Sequence, residues 1–336
     1  MYLQPDFNAD RYDLTNIVST TCGKNILFSD KGLLAAAYCE IAESVEAVLY
    51  NLGTKQLITS VEIDASYCRQ INETAGGFNY TFVKETAEEQ YVTKTVIVLS
   101  IDWQGNCTWQ YPETFRLPFG DGEVAEWEGG IVYIDRKSGK MKLLTSFNEE
   151  IESGPAIGWL ELFTVINENT FIYTAKYDFW SMAVYIYDIR TGQSTRVSEY
   201  GGYPLGIGGN FLLYAFDSLG TEGMATVDIP TITTLSKIYY NNAGHSRAAI
   251  SGDGAFVLAV YDRYQTDELD IQIVTNVDNG FWFYDAKTGQ LLNEYPLNLP
   301  GKSPYTYGFW QQRPYLISEN NGKTTLYVLP ENVVNH

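Results

Sequence analysis

Histidine is nearly missing: two in 336 residues, and one of them, His336, is the last residue. Any imidazole chemistry therefore rests on His245, so the side chain that most often moves protons near neutral pH or ligates metals is almost absent. Long apolar runs are also lacking. The nearest, IGWLELFTVI at 157–166, contains Glu161 and falls short of the roughly 18 residues a membrane helix needs, so no membrane span is expected. Basic residues are few, 22 Lys and Arg against 41 Asp and Glu, for a formal charge of −19. Most of such a surface repels a phosphate backbone, which argues against nucleic acid and favours cations, basic peptides or neutral sugars. The opening MYLQPDFNADRYD has neither the basic nor the apolar region of a secretory leader, so the expectation is a cytosolic chain or one whose leader has been removed.

The four cysteines, Cys22, Cys39, Cys68 and Cys107, lie in the first third without the close pairs of a zinc site, and no metal or cofactor is expected. A hairpin centred on SDKG that sets Phe28 opposite Leu33 carries the register outward to Cys22 opposite Cys39. Directly opposed residues are close enough for a disulfide, and that bond implies an oxidising compartment. On this ground, with the acidic, Tyr-rich composition, the protein is expected outside the cell or at its surface, with a cytoplasmic location as the alternative. Recognisable catalytic motifs are missing too. There is no G-x-S-x-G elbow, and GHSRA at 244–248 fails at the second glycine. GGYPLGIGGN at 201–210 lacks the strand-to-helix setting of a dinucleotide loop. DRYQTDELD at 262–270 lacks the glycine and spacing of a calcium-binding EF-hand loop. The acidic residues offer many possible general acid–base pairs, but nothing selects two of them, and no catalytic residue is assigned.

What the chain has instead is aromatic, β-favouring sequence: 26 Tyr, 16 Phe and 7 Trp make up 15% of it. YDIRTGQS at 187–194 returns as YDAKTGQL at 284–291, and VYIDRKSGKM at 132–141 repeats it with Asp135 and Gly139. Looser forms pair Asn51 with Gly53, Asp102 with Gly105 and Asp228 with Thr231, and LYVLPEN closes a set of seven. The phrase spells a hairpin: a Tyr- and Ile-rich strand, an aspartate to accept turn N–H groups, and a glycine for the left-handed position. A second hairpin type, FSDKGLLAAAY at 28–38 and ISGDGAFVLAVYD at 250–262, precedes two of the copies. Two hairpins make a four-stranded sheet, and irregular spacing near 40 to 50 residues fits propeller blades. Helical periodicity is scarce, and AAAYCEIAESVEAVLYN reads as two strands around an acidic link from Glu40 to Glu46.

GHSRAAISGDGAFVLAVYD followed by FWFYDAKTGQLL resembles a WD-repeat blade, with Gly244-His245 at its start and Tyr284-Asp285 in the place of Trp-Asp. The FSDKG and ISGDG turns also resemble those of TolB-type propellers. Only this blade matches closely, and Gly-His occurs nowhere else. The resemblance implies an all-β, seven-bladed β-propeller as a single domain over residues 1–336, with blades near 20–63, 64–115, 116–147, 148–197, 198–238, 239–295 and 296 to the end. The third is short, which leaves six blades as the alternative. YDLTNIV at 12–18 is expected to complete the last blade. In such propellers a histidine placed like His245 braces the blade, and the links between second and third strands share one rim with those between blades. Acidic and aromatic residues expected there give Asp178, Trp180, Tyr203, His245, Tyr264 and Trp310 as candidate ligand-binding residues. The expected function is non-catalytic binding of a protein, peptide or glycan, and the alternative is a hydrolase or lyase acting on a carbohydrate or lactone.

Overall fold

The recurring aspartate phrase folds as its residues dictate. The computed structural model describes residues 9–15, 17, 25–41, 44–88, 91–147, 158–176, 182–198, 202–218, 221–239, 248–265, 275–297, 306–320 and 322–334. Asp135 Oδ1 accepts the Ser138 N–H at 2.7 Å and the Ser138 hydroxyl at 2.6 Å. Gly139 donates its N–H to the Asp135 carbonyl at 2.8 Å and takes a φ of 66°. The same closure joins Gly192 to Asp188 and Gly289 to Asp285, so the left-handed residue stands four places after the aspartate. This spacing corrects two of the looser sequence copies. After Asn51 the left-handed residue is Lys55 at φ 57°, not Gly53, and after Asp228 it is Ile232 at φ 52°, not Thr231. Turn hydrogen bonds hold both in a region side chains disfavour: Thr54 N–H to Asn51 Oδ1 at 2.9 Å, and Thr231 N–H to Asp228 Oδ2 at 3.2 Å.

Seven four-stranded antiparallel sheets are present among the described residues, and there is no α-helix among them. They fall into two compact units, Met1–Glu113 with Leu297–Val333, and Thr114–Pro296 with Val334–His336. The first unit holds three blades. Blade 1 runs Asn25–Phe28, Leu33–Ile41, Ser44–Asn51 and Gln56–Ile63. Blade 2 runs Tyr67–Thr74, Gly77–Glu88, Tyr91–Asp102 and Cys107–Gln110. Blade 7 takes three strands from the end of the chain, Thr306–Trp310, Arg313–Asn320 and Lys323–Val328, and its fourth from the start, Asp10–Asp13. The N-terminus thus completes this sheet as expected, with a strand that begins and ends earlier than YDLTNIV. Arg313 fastens it, donating to Asp10 Oδ2 at 2.7 Å and to the Leu329 carbonyl at 2.9 Å.

The second unit holds four blades. Blade 3 runs Arg116–Phe119, Gly122–Trp127, Gly130–Asp135 and Met141–Ser146, complete despite its brevity. Blade 4 is Trp159–Asn167, Thr170–Lys176, Met182–Asp188 and Gln193–Arg196. Blade 5 is Tyr203–Gly208, Phe211–Ser218, Thr221–Asp228 and Thr233–Tyr239. Blade 6 is Ala248–Ile250, Phe256–Gln265, Thr275–Asp285 and Leu291–Pro296.

Neighbouring blades within a unit bury their faces together. Blades 1 and 2 share a core of Ala35, Leu49, Phe78, Tyr80 and Leu99, and the buried Tyr80 hydroxyl donates to the Val48 carbonyl at 2.7 Å. In the second unit, Ile172 and Val184 of blade 4 meet Leu212 and Tyr214 of blade 5. Glycines allow rings to lie across the sheet. Gly223, Gly280 and Gly308 stand directly opposite Phe216, Tyr261 and Tyr315. A Cβ on Gly280 would lie 2.5 Å from the Tyr261 hydroxyl oxygen and 2.4 Å from the Tyr295 carbonyl. The ring covers a backbone that has no side chain of its own.

The expected cysteine register is overturned. Asp30-Lys31-Gly32 form a three-residue loop with Gly32 at φ 71°, Ser29 donates its N–H to the Leu33 carbonyl at 2.9 Å, and Phe28 stands opposite Leu34. The one-residue shift removes the premise that set Cys22 against Cys39, and with it that argument for an oxidising compartment. Cys22 lies outside the described residues, as does the side chain of Cys39, while Cys68 is buried and Cys107 partly buried. The strands on either side of the expected acidic link, Leu33–Ile41 and Ser44–Asn51, take in Glu40 and Glu46.

Three outcomes follow in denaturation experiments. Gly280→Ala forces its methyl against Tyr261 and lowers stability by about 1–3 kcal/mol, read as a drop in the urea midpoint. Lys55→Gly relieves an exposed left-handed residue and raises the midpoint, by about 0.5–1 kcal/mol once the added freedom of the unfolded glycine is subtracted. The side chain of Asn106 holds the Asp102 carboxyl below its ordinary value, and that of Ser138 does the same for Asp135. Folded-state pKa values below the unfolded ones give stability that is present above the unfolded carboxylate pKa. It is lost as pH falls below about 4 through the depressed values. Asp135→Asn flattens that acid limb in a pH series of thermal melts.

Candidate functional site at the strand-entry end

Each blade has two ends. At one, the first strand begins, the second hands over to the third, and the fourth finishes; the other end carries the two hairpins. In the second unit the entry ends of blades 4 and 5 gather rings and charges. Trp159 pairs with Lys176, and Lys176 with Met182, so these side chains share a face with Glu161, two residues along. Val184 lies on that face too and belongs to the core shared with blade 5, so the face looks toward blade 5. Glu161 forms an ion pair with Lys176, whose ammonium lies 5.6 Å from the centre of the Trp159 ring.

Blade 5 answers with Phe216, opposite Gly223 and in the same row as Tyr239. Tyr239 meets Phe216 edge-on at 5.7 Å and 80°, and the Lys237 ammonium stands 6.0 Å from the Phe216 ring. The link between the blades is tied where Gly202 donates its N–H to the Met182 carbonyl at 3.1 Å. Tyr239 is 52% exposed and Tyr203, at the start of the first strand, 42% exposed. Tyr203 shares a row with Ala215, Met224 and Ile238, on the face that packs toward blade 6. The two tyrosines therefore flank the entry end of blade 5 on opposite faces.

Some second-to-third-strand hairpins run past their neighbours. In blade 2 the first strand starts opposite Val83 and the fourth ends opposite Val98, so the five pairs from Lys84 with Thr95 to Glu88 with Tyr91 form a two-stranded arm. Lys94 pairs with Glu85 at 3.2 Å, Lys84 bonds to Asp64, and the Ser66 hydroxyl accepts the Glu85 N–H at 2.8 Å. Blade 6 extends likewise, from Asp262 opposite Asn279 to Gln265 opposite Thr275.

The structure treats the candidate residues unequally. Tyr203 stands at the entry end as expected. Tyr264 is in the blade 6 arm, opposite Asn276, and not in a link. Trp310 is corrected. It ends the first strand of blade 7 at the hairpin end, stacks on Phe28 at 5.1 Å and 21°, and packs against a core formed with blade 1. Its position just before Gln311-Gln312, where the chain turns into the second strand, is what excludes it from the entry end. Asp178, Trp180 and His245 lie outside the described residues. Trp159 and Tyr239 were missed, although each adjoins a link between blades, the one sequence signal that could have found them. Rings with ammonium groups over them and exposed tyrosine hydroxyls form a surface for stacking and hydrogen bonding.

No family model matches the chain, and no curated protein matches it in sequence. Its backbone is similar to the β-propeller domain of Cps50 (Swd1) from Myceliophteria thermophila, with a TM-score of 0.60 and 13% identity over 96% of this chain and 100% of that one. TolB from Acinetobacter baumannii aligns with a TM-score of 0.39 and 14% identity over 88% of this chain and 79% of that one. With seven blades of matching topology, the first likeness establishes the seven-bladed β-propeller fold expected from the WD-repeat-like blade.

Phe216 and Tyr239 separate the roles within the cluster. Phe216→Ala empties a buried ring site and costs about 3–5 kcal/mol in chemical denaturation. Tyr239→Ala, at a half-exposed position, gives up the edge-on ring contact and costs about 0.5–1.5 kcal/mol.

Proposed function

We propose that this propeller is a non-catalytic binding module that engages a protein partner through its strand-entry end, with the blade 4 and blade 5 cluster as its contact surface in the second unit. The observation that carries the reading is that Tyr239 and Tyr203 keep about half their surface in water beside links that join blades. Tyrosine contributes large, rigid contact area at low entropic cost, which is why it recurs at binding hot spots. The Lys176–Glu161 pair beside Trp159 adds polar groups that fix a partner's orientation. The likeness to a propeller domain supports the scaffold, and these side chains support the choice of end.

A peptide and glycan array probed with the full chain and with a Tyr203→Ala, Tyr239→Ala double variant tests this. Peptide binding that weakens at least ten-fold in the folded variant is expected. A peptide signal unchanged by the variant, or ligands that are all glycans, overturns the reading.

A further inference from the structure

Blade 3 carries a surface unlike the rest of this acidic protein. From Arg136 to Leu143 the chain reads RKSGKMKL, four basic residues in seven positions followed by a leucine, on the turn and fourth strand of the sheet. All eight residues are exposed, and Met141 and Leu143 keep 51% and 58% of their surface in water. Asp135, which precedes the run, is occupied as an acceptor within the turn. Arg136 reaches the Gly122 carbonyl at 3.5 Å, while Lys137, Lys140 and Lys142 form no salt bridge among the described residues. A chain of net charge −19 therefore concentrates four basic residues, with Asp135 the one acidic residue beside them in sequence, at the hairpin end and outer edge of one blade.

Met141 and Leu143 project from one face of the strand and Lys142 from the other, because Met141 pairs with Ile134, Leu143 with Val132 and Lys142 with Tyr133. Half-exposed apolar side chains among lysines suit an interface where the apolar groups enter an acyl layer while the ammonium groups meet headgroup phosphates. A nucleic acid would satisfy the lysines and leave Met141 and Leu143 without a use, whereas a lipid surface takes up both kinds of side chain at once. The negative charge elsewhere on the chain does not veto the contact, because beyond about 8 Å at physiological salt it is largely screened.

We propose that this corner of blade 3 docks the protein on an anionic phospholipid surface, peripherally and without a span. Lys137, Lys140 and Lys142 meet the headgroups, and Met141 and Leu143 insert between them. Within blade 3 the contact uses the hairpin end, so it does not draw on the entry-end reading and can fail without it.

Vesicle co-sedimentation of the full chain at physiological salt decides the matter, with phosphatidylcholine vesicles containing 30% phosphatidylserine set against pure phosphatidylcholine. Binding to the anionic vesicles alone is expected. It falls at least ten-fold in Lys140→Glu, Lys142→Glu and at least three-fold in Met141→Ser, Leu143→Ser. The charge-matched control Lys287→Glu, Lys323→Glu, at exposed sites on other blades, retains it. Absence of anionic-vesicle binding, equal binding to both vesicle types, or equal loss in the control overturns the proposal. So does tighter association with a polyglutamate peptide or duplex DNA than with vesicles, which would assign the corner to a protein or a nucleic acid.

Discussion

A blade between two neighbours has no face it can leave to water, and this constraint organises the molecule. In blade 1, Leu33, Ala35 and Ala37 enter the core shared with blade 2, while Leu34 and Ala36 enter the core shared with blade 7. LLAAA is apolar without alternation because both sides are buried, as in strands covered on both faces. Blade 5 obeys the same rule within the second unit, with Leu212, Tyr214 and Phe216 facing blade 4 and Leu213 facing blade 6.

When both faces are committed to packing, function is left to the ends and outer edges. The ends divide further. The hairpin ends of blades 3, 4 and 6 are governed by the aspartate turn, whose hydrogen bonds occupy the carboxylate and fix the residue four places on. Entry ends carry the links between blades and the second-to-third-strand hairpins, whose sequence and length are unconstrained by such a motif. Tyr203, Tyr239 and the Trp159–Lys176 pair occur there. The outer edges belong to fourth strands such as Met141–Ser146, where composition is free to depart from the molecular average.

Much of the fold was legible because turns are local. An aspartate, a hydroxyl and a glycine within five residues specify a hairpin without reference to the rest of the chain, and the blade boundaries drawn from them match the observed sheets to within one residue at Tyr239 and Pro296, the N-terminal strand of blade 7 apart. Reading failed where one residue mattered. The loop after Ser29 is one residue shorter than SDKG suggested, and that slip undid the cysteine pairing. Trp310 was assigned to the wrong end because a single sequence does not say on which side of a strand an aromatic residue falls until the turn beside it is fixed. The repeat likewise hid Lys55 and Ile232, since neither has the glycine that advertises a left-handed position.

By itself, then, the sequence determined the all-β class, the repeated hairpin and a net charge of −19, because these follow from neighbouring residues and from composition. Tertiary structure decided which rings are buried and which face solvent: Tyr214 and Tyr239 belong to the same blade, and only the first is sealed beneath the adjacent sheet. It also decided that the strand completing blade 7 is Asp10–Asp13, a pairing across nearly the whole chain. Burial and long-range pairing depend on which surfaces meet in space, and local propensity has no term for that.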